Sequence, residues 1–102
     1  MVEITDIEVL RSQIGQEIAV GDWFEVSQER INQFAEITED RQWIHIDPAR
    51  AATESPFKTT IAHGFLTLSL LSPLFDDLVA FEDTDLSINY GLDRVRFMAM
   101  IP

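Results

Sequence analysis

Cysteine is absent from the chain. That excludes a disulfide framework, a thiolate metal site and a cysteine nucleophile, and it fits a reducing interior, so a cytoplasmic location is expected. Basic residues are scarce: 7 lysines and arginines stand against 18 aspartates and glutamates, a net charge of −11 over 102 residues. Phosphate-rich partners demand a basic stripe, so neither nucleic acid nor an anionic membrane surface is an expected partner. An anionic small molecule stays possible, because a few local cations can serve one. No long hydrophobic run is present either. The most apolar stretch, residues 61–79, is broken by His63, Ser69, Ser72, Pro73, Asp76 and Asp77, too short and too polar to span a bilayer. The start, Met1-Val2-Glu3, carries neither a basic region nor an apolar signal core. Repeats, low-complexity tracts and linkers are missing too. What remains, 46% apolar and 25% charged, is an ordinary globular composition of a length for one small domain.

The apolar periodicity predicts an α+β order. Thr5 with Glu8 three residues on reads as a capping box, and Ile7, Leu10 and Ile14 share one helical face up to Gly15. Residues 23–26 follow a Gly21-Asp22 turn signal and read as a strand. Ser27 caps a second helix with Ile31, Phe34, Ala35 and Thr38 on its apolar stripe, ending near Glu39. Residues 40–45 are expected as a loop. Asp47-Pro48 is an N-cap followed by an N1 proline, opening a short helix through Ala51 and Ala52. Residues 64–79 are apolar nearly all round, the mark of a helix wrapped by something else, with Pro73 as a kink. Residues 86–92 and 94–101 read as strands; in the latter Val95, Phe97, Ala99 and Ile101 alternate with Arg94, Arg96, Met98 and Met100. Three strands are few to wrap a buried helix, so a C-terminal part is expected to be missing.

Two places carry chemistry. Asp40 and His45 lie five residues apart after a helix, where a carboxylate and an imidazole can converge on one water near neutral pH. On spacing alone the plainer reading is the better one: Asp40 solvated at a helix end, His45 a satisfied surface histidine, Asp47 only a cap. The second place is Ile61-Ala62-His63-Gly64-Phe65. A glycine at a helix start lets a ligand oxygen approach free backbone amides, the geometry of an oxyanion hole. Equally, Gly64 allows tight packing while His63 bonds a nearby carbonyl. No ligand-spacing motif joins His45, Asp47 and His63, so no metal site is expected.

Glu39-Asp40-Arg41-Gln42-Trp43-Ile44-His45, Thr59-Thr60-Ile61-Ala62-His63-Gly64-Phe65-Leu66-Thr67 and Asn89-Tyr90-Gly91-Leu92-Asp93-Arg94-Val95-Arg96-Phe97 together resemble the MaoC-like (R)-specific enoyl-CoA hydratases, and within them the nodulation-protein-N-like branch. The resemblance covers nearly the whole chain. One departure is Gln42-Trp43, where many members have Asn-Pro; the Asp-to-His spacing is kept. The resemblance implies a hot-dog fold, a central helix wrapped by an antiparallel sheet, with residues 1–102 as a single domain lacking its last strands. It implies a homodimer acting on an acyl-CoA thioester in fatty acid metabolism, without a cofactor. Asp40 and His45 take the catalytic positions and the Gly64 amide the oxyanion hole.

The implied reaction is syn hydration of a trans-2-enoyl-CoA to an (R)-3-hydroxyacyl-CoA, or its reversal. Asp47 is expected to cap a helix and His63 to be structural. Ser69 and Ser72, one turn apart, either line an acyl tunnel or, the commoner role, bond their own helix's carbonyls. Lys58, Arg94 and Arg96 are the candidate cations for coenzyme A phosphates, the last two sharing one strand face. The alternatives are a hot-dog acyl-CoA thioesterase, which would release free thiol, and a non-catalytic acyl-binding or partner subunit, which would not need both Asp40 and His45.

Overall fold

The computed structural model describes residues 1–82 and 84–102. Among them the elements run β1 (Val2–Ile4), α1 (Ile7–Ser12), α2 (Gln28–Thr38), α3 (Trp43–Ile46), α4 (Pro48–Glu54), α5 (Gly64–Ser69), α6 (Leu71–Asp76) and β2 (Val79–Phe81). The composition is α+β, as expected. The residues gather into two compact units, one of Met1–Trp23 with Leu70–Val95, the other of Phe24–Ser69 with Arg96–Pro102. No helix among the described residues is long and apolar enough to cross a membrane.

The first unit is organised by β1 and β2. They pair in parallel, Val2 opposite Val79 and Ile4 opposite Phe81, and the ladder is extended by Val2 N–H to the Leu78 carbonyl at 2.7 Å and Glu82 N–H to the Ile4 carbonyl at 3.0 Å. Ile4 and Val79 are buried along this seam. The sequence reading missed β1, and this moves the start of α1. With the chain extended to Ile4, Thr5 becomes the bend and Asp6 the cap, its carboxylate accepting the Glu8 N–H at 2.9 Å. The Thr5–Glu8 capping box does not form. Ile7 and Ile14 are exposed, and only Leu10 of the expected stripe is half-buried. The long helix expected over residues 64–79 is divided. α5 stops at Ser69 and α6 starts at Leu71, because Pro73 has no N–H to give the Ser69 carbonyl. Val79 is extended rather than helical.

The second unit holds α2 to α5. Ser27 Oγ accepts the Arg30 N–H at 3.1 Å and starts α2, as the sequence predicts. Ile31 and Ala35 bury one face, with Phe34 half-buried beside them. The helix ends on Glu39, a non-glycine residue in the left-handed region (φ 62°), so the chain turns sharply just before Asp40. Asp47 and Pro48 also behave as read: the Asp47 carboxylate accepts the Arg50 N–H at 3.1 Å and Pro48 is the first residue of α4. The expected loop over residues 40–45 is partly helical, since α3 runs Trp43–Ile46 and carries His45.

The expected antiparallel sheet is not what the described residues form; the one sheet among them has two parallel strands. Residues 23–26, 86–92 and 94–101 carry strand-like patterns but no strand. The reason is physical. Alternation specifies which side chains share a face, whereas a strand exists only when a second edge satisfies its N–H and C=O groups. Along residues 94–101 one ordered tie of this kind forms, Ala62 N–H to the Ile101 carbonyl at 2.8 Å.

Candidate active site

Three pieces of the second unit meet at one point: the first turn of α2, the segment 40–46 and the segment 60–64. Gln28 joins them. Its amide N–H groups donate to the His45 carbonyl at 2.7 Å and to the Asn32 side chain at 3.0 Å. Its carbonyl oxygen accepts the Thr60 hydroxyl at 2.5 Å. Ile61 N–H reaches the Ile44 carbonyl at 3.0 Å. The α3 helix that carries His45 is thus pinned on its backbone from two directions. Gln28 and Thr60 escaped the sequence reading, since nothing in a lone Gln at a helix start shows which carbonyl it will find.

The imidazoles are oriented with equal definition. His45 is buried, 7% exposed, and its Nδ1 lies 2.8 Å from the Ile61 carbonyl oxygen. A carbonyl only accepts, so Nδ1 carries the proton and Nε2 is left as a lone pair in the neutral ring. His63, 2% exposed, places Nε2 at 3.0 Å from the Asp40 carbonyl oxygen. By the same reasoning Nε2 carries its proton. Its Nδ1 is buried without a partner, at a desolvation cost of about 1–3 kcal/mol. The two rings stack, centroids 3.8 Å apart and planes 24° from parallel.

A carboxylate oxygen of Asp40 and one nitrogen of each imidazole all lie within 4.8 Å of one another. The sequence-predicted pair is therefore brought together, and His63 with it. A water with two hydrogen bonds of about 2.8 Å spans acceptors roughly 4.5 Å apart, the scale of this cluster. The same three groups are close enough to share a metal ion, although His45 Nδ1 and His63 Nε2 already lie on the Ile61 and Asp40 carbonyls. Asp47 stands apart as the α4 cap. Arg41, next to Asp40, turns away and donates to Glu36 from Nε at 2.9 Å and Nη2 at 3.3 Å; that guanidinium holds the Glu36 carboxyl below the usual carboxylate range.

Gly64 opens α5 beside this cluster. A Cβ there would lie 2.5 to 2.8 Å from the Phe97 ring, so tight packing is one reason for glycine. Phe97 meets Phe65 edge-on at 5.7 Å. A cavity of about 260 Å³ is lined by Ile44, His45, Ile61, Gly64, Phe97 and Ile101 among others. It is predominantly apolar and puts the His45 ring beside space for a hydrocarbon chain. A larger cavity of about 680 Å³ lies in the first unit, with Asp76 and Asp85 but no histidine in its wall; the smaller one has His45 in its wall. Lys58 is exposed in the turn after α4 with a left-handed backbone (φ 60°). Arg96 is exposed in the second unit and Arg94 in the first, and no strand face unites the two. Ser69 donates to the Phe65 carbonyl of its own helix at 2.7 Å, the commoner role, whereas Ser72 accepts from Asn89 at 3.1 Å.

Residues 9–102 match the family described as MaoC like domain. Nodulation protein N of Rhizobium leguminosarum bv. viciae is 53% identical over 91 residues, which cover 88% of this chain and 56% of that protein. Nodulation protein N of Rhizobium meliloti (strain 1021) is 46% identical over 101 residues, 98% of this chain and 61% of the relative. The 3-hydroxyacyl-thioester dehydratase Z of Mycobacterium tuberculosis (strain ATCC 25618 / H37Rv) is 48% identical over 93 residues, 91% of this chain and 61% of that protein. In these alignments the chain spans 56% to 61% of the length of the relatives.

Proposed function

This chain belongs to the MaoC-like domain family, and from that premise we propose that it carries the acid–base site of an (R)-specific hydratase acting on trans-2-enoyl-CoA, working in either direction. The observation that carries the reading is the convergence of the Asp40 carboxylate and the His45 imidazole within 4.8 Å, with His45 Nδ1 committed to the Ile61 carbonyl. The naming of the mycobacterial relative as a 3-hydroxyacyl-thioester dehydratase supports the same chemistry.

The steps follow from the tautomer. The Asp40 carboxylate and His45 Nε2 are two acceptors, and a water has two O–H bonds to give them. Held so, its oxygen lone pair is free for the β-carbon of the enoyl thioester. As the C–O bond forms, Asp40 takes one water proton and charge moves onto the thioester oxygen as an enolate. The Gly64 N–H, at the start of α5, bonds that oxygen; losing such a donor costs about 3–4 kcal/mol of barrier. The proton then passes from Asp40 to the α-carbon on the same face, which completes a syn addition and restores the pair. The cavity beside His45 takes the acyl chain. Lys58, Arg94 and Arg96 are candidate contacts for the phosphates of coenzyme A.

The match to residues 9–102 runs through both units, which supports reading the chain as one hot-dog domain with an antiparallel sheet about the helical segment that starts at Gly64. A homodimer and fatty acid metabolism go with this reading and rest on the family alone, whereas a cytoplasmic setting draws also on the absence of cysteine.

The test is hydration of crotonyl-CoA by the purified chain, with the hand of the product read by an (R)-specific dehydrogenase. Acid–base groups contribute about 10²- to 10⁴-fold, so Asp40→Asn and His45→Gln should each lose at least the lower figure. Release of free thiol instead of hydration would make the chain a thioesterase. A folded protein that does neither would leave a non-catalytic partner or an inactive fragment.

A further inference from the structure

We infer that His63 is a positioning residue for the Asp40–His45 pair, holding the first by its backbone and the second by its ring. The inference rests on the reading above that this pair does the chemistry. His63 bonds across 23 residues of sequence to the Asp40 carbonyl, Nε2 to oxygen 3.0 Å. Asp40 is the first residue after the left-handed Glu39 that ends α2, so it lies outside the helical hydrogen-bond ladder and needs an external tie. The face of the same imidazole lies against His45 at 3.8 Å. Phe34 abuts His63 at 4.9 Å, tilted by 54°.

His63 is itself well anchored. Its carbonyl accepts the Thr67 N–H at 3.1 Å, the first bond of α5, and the Thr67 hydroxyl at 3.3 Å. Two residues earlier, the Ile61 carbonyl takes the His45 Nδ1–H. One short segment, residues 61–63, therefore sets both partners: Ile61 fixes the tautomer of His45, and His63 fixes its ring plane and the place of Asp40. The unpartnered Nδ1 of His63 argues that the imidazole is present for its other nitrogen. A phenylalanine would fill the same space against Phe34 and His45 without burying an unsatisfied lone pair.

Two substitutions separate the roles. His63→Phe keeps a ring against His45 and removes the donor to Asp40. His63→Gln removes the ring and keeps an amide N–H at about the reach of Nε2. With crotonyl-CoA, His63→Phe should lower kcat by about 10- to 100-fold, the scale of a small misplacement of reacting groups, while KM changes less than about twofold. His63→Gln should recover part of that kcat. Wild-type kcat in His63→Phe, or no recovery in His63→Gln, overturns the inference.

A readout independent of hydration is the NMR shift of the Asp40 carbonyl carbon, which should move in His63→Phe and return towards wild type in His63→Gln. If the wild-type chain hydrates nothing, the functional reading fails, and the Asp40 shift still decides the positioning: an unmoved shift overturns it. If His63→Phe does not fold, the imidazole nitrogen signals of the wild-type protein decide, where a proton on Nε2 of His63 is expected and a proton on Nδ1 would refute the bond.

Discussion

Replacing Gly64 with alanine should destabilise the protein, and the loss should vanish when Phe97 is also shortened. The added Cβ would lie 2.5, 2.6 and 2.8 Å from Phe97 Cδ2, Cγ and Cε2, whereas carbon atoms rest at about 3.5–4.0 Å. The ring must retreat by roughly 1 Å, and over-packing of this kind costs about 1–3 kcal/mol. Phe97 is 43% exposed, so it has room to yield and the lower half of that range is expected. Phe97→Ala alone loses the edge-on contact with Phe65, about 0.5–1.5 kcal/mol beyond area burial. In that background the new methyl group of Gly64→Ala no longer meets the Phe97 ring, and at the first residue of α5 the glycine penalty of a helix interior does not apply. The loss from Gly64→Ala should therefore vanish, with a coupling of about 1–2 kcal/mol between the two positions. Urea unfolding followed by circular dichroism, with the midpoint compared at unchanged slope, measures it. Equal losses in both backgrounds would refute the argument that Phe97 is what requires glycine. The double variant answers a second question as well. Gly64→Ala keeps the backbone N–H, so restored stability with lost hydration would mean that a substrate oxygen needs the space of the missing Cβ.

Asp47→Ala should cost about 1 kcal/mol through the loss of the α4 cap on Arg50 N–H, with Asp47→Asn retaining most of it; equal midpoints for all three proteins would remove the cap from the account. The Glu36–Arg41 pair should be visible in titration more than in stability. Arg41 lowers the Glu36 carboxyl, so the pair's contribution is present above the unfolded-state value and is lost as pH falls through the lowered folded value. Arg41→Met should bring the Glu36 titration, followed by NMR, back up towards the ordinary carboxylate value. The neutral-pH melting temperature should hardly move, because both side chains are exposed. An unchanged Glu36 titration would show that the pair does not form.

Where structure depends on a few adjacent residues, it was legible in the sequence. Ser27 and Asp47-Pro48 start helices as read, because a cap or an N1 proline acts within three residues and needs no partner from afar. Pro73 marks the break between α5 and α6 for the same local reason. The Asp40–His45 spacing and the Ile61-Ala62-His63-Gly64-Phe65 run identified the candidate residues. The spacing could not say that they converge. Gln28 and Thr60, which pin the backbone that carries His45, were invisible, and His63 was read only as a residue bonding some carbonyl. Tertiary structure decided that the carbonyl is that of Asp40 and that the two imidazoles stack. It also decided the parallel pairing of β1 with β2 across most of the chain, and it left the alternating residues 94–101 without a strand. Caps and prolines act through bonds a few residues long, so sequence alone determines them. Pairing, stacking and cross-chain hydrogen bonds depend on which distant group arrives, and only the folded chain settles that.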